Sequence, residues 1–191
     1  MEGIIVKQIL IVMVLIVLCV NASAADKKDL NAAIIDGPSI AFTIVAPEGW
    51  VLDTKSGKGD GLPVVLYPKG SSWEKSPVVM YINNVPKDTQ PSPNLEDFIK
   101  DEIESFKKKH PKILIRDSKP LPVGGGRLTI VKEYSGDKWD NYEAVAYISE
   151  DKTFTSFTLS AKKKDDYIKA FPSFEKFVES YTFITSQVIT K

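Results

Sequence analysis

Four oxygen-bearing side chains, Asp137, Asp140, Asn141 and Glu143, crowd the stretch Gly-Asp-Lys-Trp-Asp-Asn-Tyr-Glu at 136–143. Carboxylates and amides gathered in one turn are the ligand types that calcium takes. The spacing is not that of an EF-hand loop, which alternates its acids and ends on a distant glutamate. Aspartate and asparagine are also ordinary turn residues, because their side chains bond their own backbone. These four residues are therefore the candidate metal ligands, with a plain turn as the competing interpretation. The stretch Gly-Lys-Gly-Asp-Gly at 57–61 shares the ambiguity with fewer ligands.

Nucleophilic chemistry finds little support. The chain has one histidine, His110, and one cysteine, Cys19. A Ser-His-Asp triad needs a histidine beside a nucleophile, and zinc sites draw on several histidines or thiolates. His110 sits after Lys107, Lys108 and Lys109 and before Pro111, which reads as a surface residue completing a basic helix end. The run Gly124-Gly125-Gly126 could cradle a phosphate only between a strand and a helix. Its C-terminal neighbours are Arg-Leu-Thr-Ile-Val, a strand pattern, so the glycines are expected to turn the chain in a hairpin. No catalytic residue is assigned, no cofactor is expected, and the chain is not expected to be an enzyme.

The aromatic residues are better candidates. Trp73 and Trp139 fall in polar loops and Tyr142 comes directly after the acidic turn. Loop aromatics are favoured anchors at protein interfaces, so Trp73, Trp139 and Tyr142 are the candidate binding residues. Trp50, at a strand start, is expected to be core. The Phe stripes of the two helical regions are core faces and need no cofactor.

These residues must be held by a strand-rich scaffold. Residues 40–45, 50–52, 62–67 and 78–85 are rich in branched and aromatic residues and bounded by turn signals, so they read as strands. The run 78–85 is apolar on both faces, as in a central strand covered on both sides. Asn94 is an N-cap for a helix over 94–109, with Leu95, Phe98, Ile99, Ile103 and Phe106 on one stripe. Four further strands, at 113–115, 127–134, 142–149 and 154–161, are spaced closely enough for an antiparallel meander. A second helical region covers 165–181, with a break or kink expected near Pro172. The expected class is α+β: an antiparallel sheet of six or seven strands with helices packed on both faces.

The first residues fit a secretory signal peptide. Lys7 precedes an apolar run from Ile9 to Val20, and Ala22-Ser23-Ala24 supplies small residues for cleavage after 24. Cys19 would leave with it, and Leu18 before it does not fit a lipidation site. Residues 25–38 read as a short polar tether and 39–191 as one domain, with no stable membrane span after cleavage. An exported location, periplasmic or secreted, is expected. The formal net charge is zero with acids and bases intermixed, so nucleic acid is not an expected partner.

Two segments carry a family resemblance. Phe42-x-Ile44-x-x-Pro47-x-Gly49-Trp50 resembles the opening of PsbP-like domains. Phe174-x-Lys176-Phe177-Val178-x-Ser180-Tyr181-x-Phe183 resembles their last helix and tail. The resemblance implies an α/β/α sandwich in a superfamily that includes the extrinsic PsbP protein of photosystem II, DcrB-like envelope proteins and a Ran-binding import factor. It implies a non-catalytic accessory domain that docks on an envelope protein or complex, and it transfers no functional residue. The alternatives are a carrier of a small apolar ligand or metal ion and, last, a carboxylate- or serine-based hydrolase.

Overall fold

The alternating apolar runs become strands that no single helix could cover. This computed structural model describes residues 31–37 and 39–188. Seven strands build its main sheet: β3 Trp50–Asp53, β4 Val64–Pro68, β5 Val78–Pro86, β6 Leu114–Ser118, β9 Ile130–Ser135, β10 Tyr142–Ser149 and β11 Thr153–Ala161. They are antiparallel throughout, in the order β3-β4-β5-β11-β10-β9-β6. Residues 1–24, expected to be a signal peptide and including Cys19, and residues 25–30 and 38 of the expected tether lie outside the described residues.

Side-chain alternation divides this sheet into two cores. On one face Met80, Ile82, Ala144, Ala146, Phe157 and Leu159 are buried. Helix α2, Lys164–Glu179, packs there through Phe174, Phe177 and Val178. On the other face Tyr147 and Phe154 meet Phe98 and Ile99 of helix α1, Leu95–Lys109. Asn94 caps α1, its side-chain oxygen accepting from the amides of Glu96 (2.8 Å) and Asp97 (3.3 Å). The expected α+β sandwich with a helix on each face is thus what the chain forms.

Three details differ from the sequence expectation. First, β1 (Ala32–Gly37) pairs antiparallel with β2 (Ile40–Val45), so the second half of the expected tether is a strand. Its alternation places Ile35 inside, 6% exposed, and leaves Ile34 outside, 72% exposed. Second, β2 does not join the large sheet. It lies between β1 and β12 (Thr182–Thr185) in a separate three-stranded sheet. Phe42 of β2 packs on Tyr181, ring centres 5.1 Å apart, which ties that sheet to the α2 core. Third, α2 runs unbroken through Pro172. Proline offers no amide proton to the carbonyl of Ile168, and Ile168 is on the exposed side of the helix, where water can serve instead.

The three glycines turn the chain, as expected. They link β7 (Pro122–Val123) and β8 (Arg127–Leu128), which pair antiparallel. Gly125 has φ 79°, the left-handed region that favours glycine. The Gly124 amide donates to the Tyr181 carbonyl (2.9 Å), so the hairpin also presses on the chain leaving α2.

Candidate functional site

The strand pair β6–β9 reaches beyond the cover of α2, and the uncovered corner forms a cleft of about 280 Å³. Leu114 and Arg116 of β6, Glu133 and Ser135 of β9, Tyr142 of β10, and Lys164, Tyr167 and Ile168 of α2 line it. Leu114 is 70% exposed and Ile168 56% exposed, so two branched apolar side chains face solvent across the opening. A second depression continues past Ser135 and Tyr142 to Gly136, Asp140, Lys162 and Lys163. A third adjoins at Gly136 and is lined by Lys109, His110, Lys112 and Lys138. Lysines scattered through the sequence therefore gather at one end of the sheet.

The cleft floor is polar and pre-organised. Arg116 and Glu133 are cross-strand partners, and the guanidinium donates to Glu133 from Nε (3.2 Å) and Nη2 (2.6 Å). The Ser118 hydroxyl donates to the second carboxylate oxygen (2.6 Å). Burial opposes the charge on Glu133, but the Ser118 and Arg116 hydrogen bonds outweigh it and hold the carboxyl below its ordinary range. The Tyr167 hydroxyl is buried next to this pair. Burial, then the Glu133 charge, pushes that phenol up. The first turn of α2 borders the cleft with no side-chain cap on its amides.

The sequence-predicted residues separate. Tyr142 lines the cleft. Trp139 stands at the same end, 57% exposed, with the Lys138 ammonium 4.1 Å from its ring centre. Trp73 is elsewhere: it folds back on the sheet, edge-on to Tyr81 of β5 at 6.0 Å, and its indole donates to Asp60 (3.1 Å). The four candidate metal ligands do not converge. Asp137 spends its oxygens on its own turn, accepting from the amides of Trp139 (3.0 Å) and Asn141 (2.8 Å) and from the Asn141 side chain (3.3 Å). Glu143 points to the opposite face of the sheet from Tyr142 and accepts from the Ser160 hydroxyl (2.7 Å). Among the described residues no three His, Cys, Asp or Glu side chains are placed to share a metal ion.

His110 corrects another expectation. It is 8% exposed rather than a surface residue. Its ring lies between Phe106 (6.3 Å) and Trp139 (5.5 Å), and Nδ1 accepts from the Lys138 amide (3.4 Å). It anchors the acidic turn against the end of α1. Arg116, Glu133, Tyr167 and Ile168 were not singled out by sequence. Ile168 carried a signal: it is an apolar residue off the buried stripe of α2.

Comparison with solved structures now places the architecture. The chain superposes on the solution structure of cyanobacterial PsbP (CyanoP) from Synechocystis with a TM-score of 0.53 and 14% identity, covering 86% of this chain and 99% of that one. The chain has the PsbP-like fold. The Ran-binding protein Mog1p of Saccharomyces cerevisiae shares this PsbP-like fold, with a TM-score of 0.50 and 11% identity, covering 81% and 95% of the two chains. LpqN of Mycobacterium tuberculosis, described as involved in cell envelope biogenesis, superposes with a TM-score of 0.49 and 14% identity over 80% and 90%. No family model and no curated protein matches the sequence. At these identities the PsbP-like fold is what is shared, and a fold does not fix a function. No helix among the described residues is long and apolar enough to cross a membrane.

Proposed function

We propose that this chain is an exported, non-catalytic accessory domain that docks on an envelope protein through the cleft end of its sheet. The observation that carries the reading is the grouping at one end of the sheet of exposed Leu114, Ile168 and Trp139 with Lys112, Lys138 and Lys162–Lys164, which line three adjoining depressions. Exposed apolar anchors beside a charged rim are the anatomy of a protein-binding patch. The partner surface that fits presents apolar and acidic side chains together, since lysine ammonium groups steer acids and leave apolar anchors to hold them. A neighbour of the same fold, Mog1p, is named for binding another protein, which agrees with this use of the scaffold.

The test is site-specific photo-cross-linking in the native envelope. A photoreactive side chain at position 114 should capture one dominant protein, and the same group at position 73 should not. Ile168→Ser with Lys164→Glu should remove the adduct while leaving the melting temperature within a degree or two, since both positions are exposed and off the buried stripe of α2. Equal capture from both positions, or none from 114, overturns the proposal.

A further inference from the structure

One wall of the cleft is an edge strand, and the two edges of the large sheet are treated differently. At the β3 edge the Asn31 side chain spans the exposed backbone. Its Nδ2 donates to the Trp50 carbonyl (2.6 Å) and its Oδ1 accepts from the Leu52 amide (3.2 Å). This plugs the sites a further strand would use. At the other end β6 pairs with β9 alone. Among the described residues no other backbone group bonds Leu114–Ser118. A bare edge is a template for strand addition.

The chemistry of β6 selects what it can add. In register with β9, Ser118 faces Val131, Asp117 faces Lys132, Arg116 faces Glu133 and Ile115 faces Tyr134. Lys132 bonds Asp117 and Glu133 bonds Arg116 across the strands. Arg116 and Asp117 nevertheless stay 74% and 84% exposed, so both are open to a second partner on the outer side. The strand β6 thus already recognises one sequence pattern on its inner edge: apolar, Lys, Glu, apolar.

A second copy of this chain fits poorly. Two-fold antiparallel pairing keeps facing residues on one side of the sheet. The register that overlaps all of β6 sets Arg116 against Arg116, and the next sets Asp117 against Asp117. Like charges directly opposite are destabilising. The register centred on Ile115 sets Leu114 against Arg116 instead.

We infer that β6 accepts an added antiparallel strand from another protein, with the pattern apolar–Lys–Glu–apolar and one further apolar residue after it. The Lys meets Asp117, the Glu meets Arg116, and the final apolar side chain enters the opening between Leu114 and Ile168. Backbone bonds to the bare edge supply affinity and the two charges fix register, which is β-augmentation. This inference rests on the docking proposal and specifies its mode.

The probe is the blocked peptide acetyl-Ser-Val-Lys-Glu-Tyr-Val-Thr-amide, titrated into the purified protein and monitored by amide hydrogen exchange. Two control peptides accompany it. One exchanges the Lys and Glu; the other is N-methylated at alternate amides, which removes the edge bonds and keeps every side chain. The first peptide should slow exchange in β6. The swapped peptide should bind about tenfold more weakly, because two cross-strand pairs change sign. The N-methylated peptide should not bind. Equal binding of the N-methylated peptide, or no protection of β6 by the first peptide, overturns strand addition. If cross-linking from position 114 still captures a partner in that case, the docking proposal survives alone; if it does not, both fall. Self-association of the protein with β6 protected in the absence of peptide also overturns the inference, in favour of a second copy.

Discussion

Replacing Gly124 with alanine should destabilise the protein more than the same change at its neighbour Gly125, although both lie in one hairpin turn. A Cβ built on Gly124 would sit 2.4 Å from the Tyr181 carbonyl oxygen and 2.8 Å from the Thr182 hydroxyl. Relieving that overlap requires the hairpin to back away from the chain leaving α2. The Gly124 amide bond to the same carbonyl (2.9 Å) then lengthens or breaks. The lost hydrogen bond costs about 1 kcal/mol, and forced repacking costs about 1–3 kcal/mol. The sum is roughly 2–4 kcal/mol. Gly125 differs: its φ is +79° and nothing lies within 4 Å of its added Cβ. Alanine there meets only the left-handed backbone penalty, about 1–2 kcal/mol. Urea unfolding of both variants at constant slope measures the two costs directly. A Gly124→Ala variant within 0.5 kcal/mol (about the scatter of neutral surface changes) would refute the close approach. A Gly125→Ala cost equal to or above that of Gly124→Ala would refute the division of roles.

The same packing sets other expected outcomes. Glu150 is 6% exposed and accepts two bonds from Arg127 (2.8 and 2.9 Å) and one from the Tyr181 hydroxyl (2.9 Å). Glu150→Ala should cost about 2–4 kcal/mol in denaturant unfolding, at the low side of a broken buried pair because Arg127 can rehydrate. Burial raises the Glu143 carboxyl, and the Ser160 hydroxyl offsets this only in part. With a raised folded-state value, stability is complete at acid pH and is lost as pH rises through that value. Glu143→Gln should therefore raise the melting temperature at pH 7, with the gain vanishing toward about pH 4 where the unfolded carboxyl protonates. A gain independent of pH would contradict this. Asn94→Ala removes the α1 cap and should cost about 1 kcal/mol by the same unfolding assay.

Much of the scaffold was legible in the sequence because it is written in short-range signals. The Asn94 cap, the Phe98–Ile99 stripe and the branched runs of β5, β10 and β11 each carry their own period. The strands β1 and β12 carry weaker signals: β1 follows a polar stretch and ends in Asp36-Gly37, β12 is four residues long, and both are completed by pairing with β2. The place of β2 in a second sheet was invisible because alternation tells which face is buried, not against which sheet. The burial of His110 depends on Phe106 and Trp139 closing over it from separate segments. The cleft is a product of register: Arg116 and Glu133 are 17 positions apart and meet only because β6 and β9 pair. Asp137 shows the converse, since the local bonds that make it a common turn residue direct its oxygens to the amides of Trp139 and Asn141 in its own turn.

The most direct test of the docking proposal is hydrogen exchange of the protein with and without solubilised native envelope fraction, read by mass spectrometry. Protection confined to segments 112–118, 134–142 and 162–168, with the Trp73 loop unchanged, is the result the proposed surface requires. Protection centred on the Trp73 loop, or on α1 with the cleft segments unchanged, would place the interface elsewhere and contradict it.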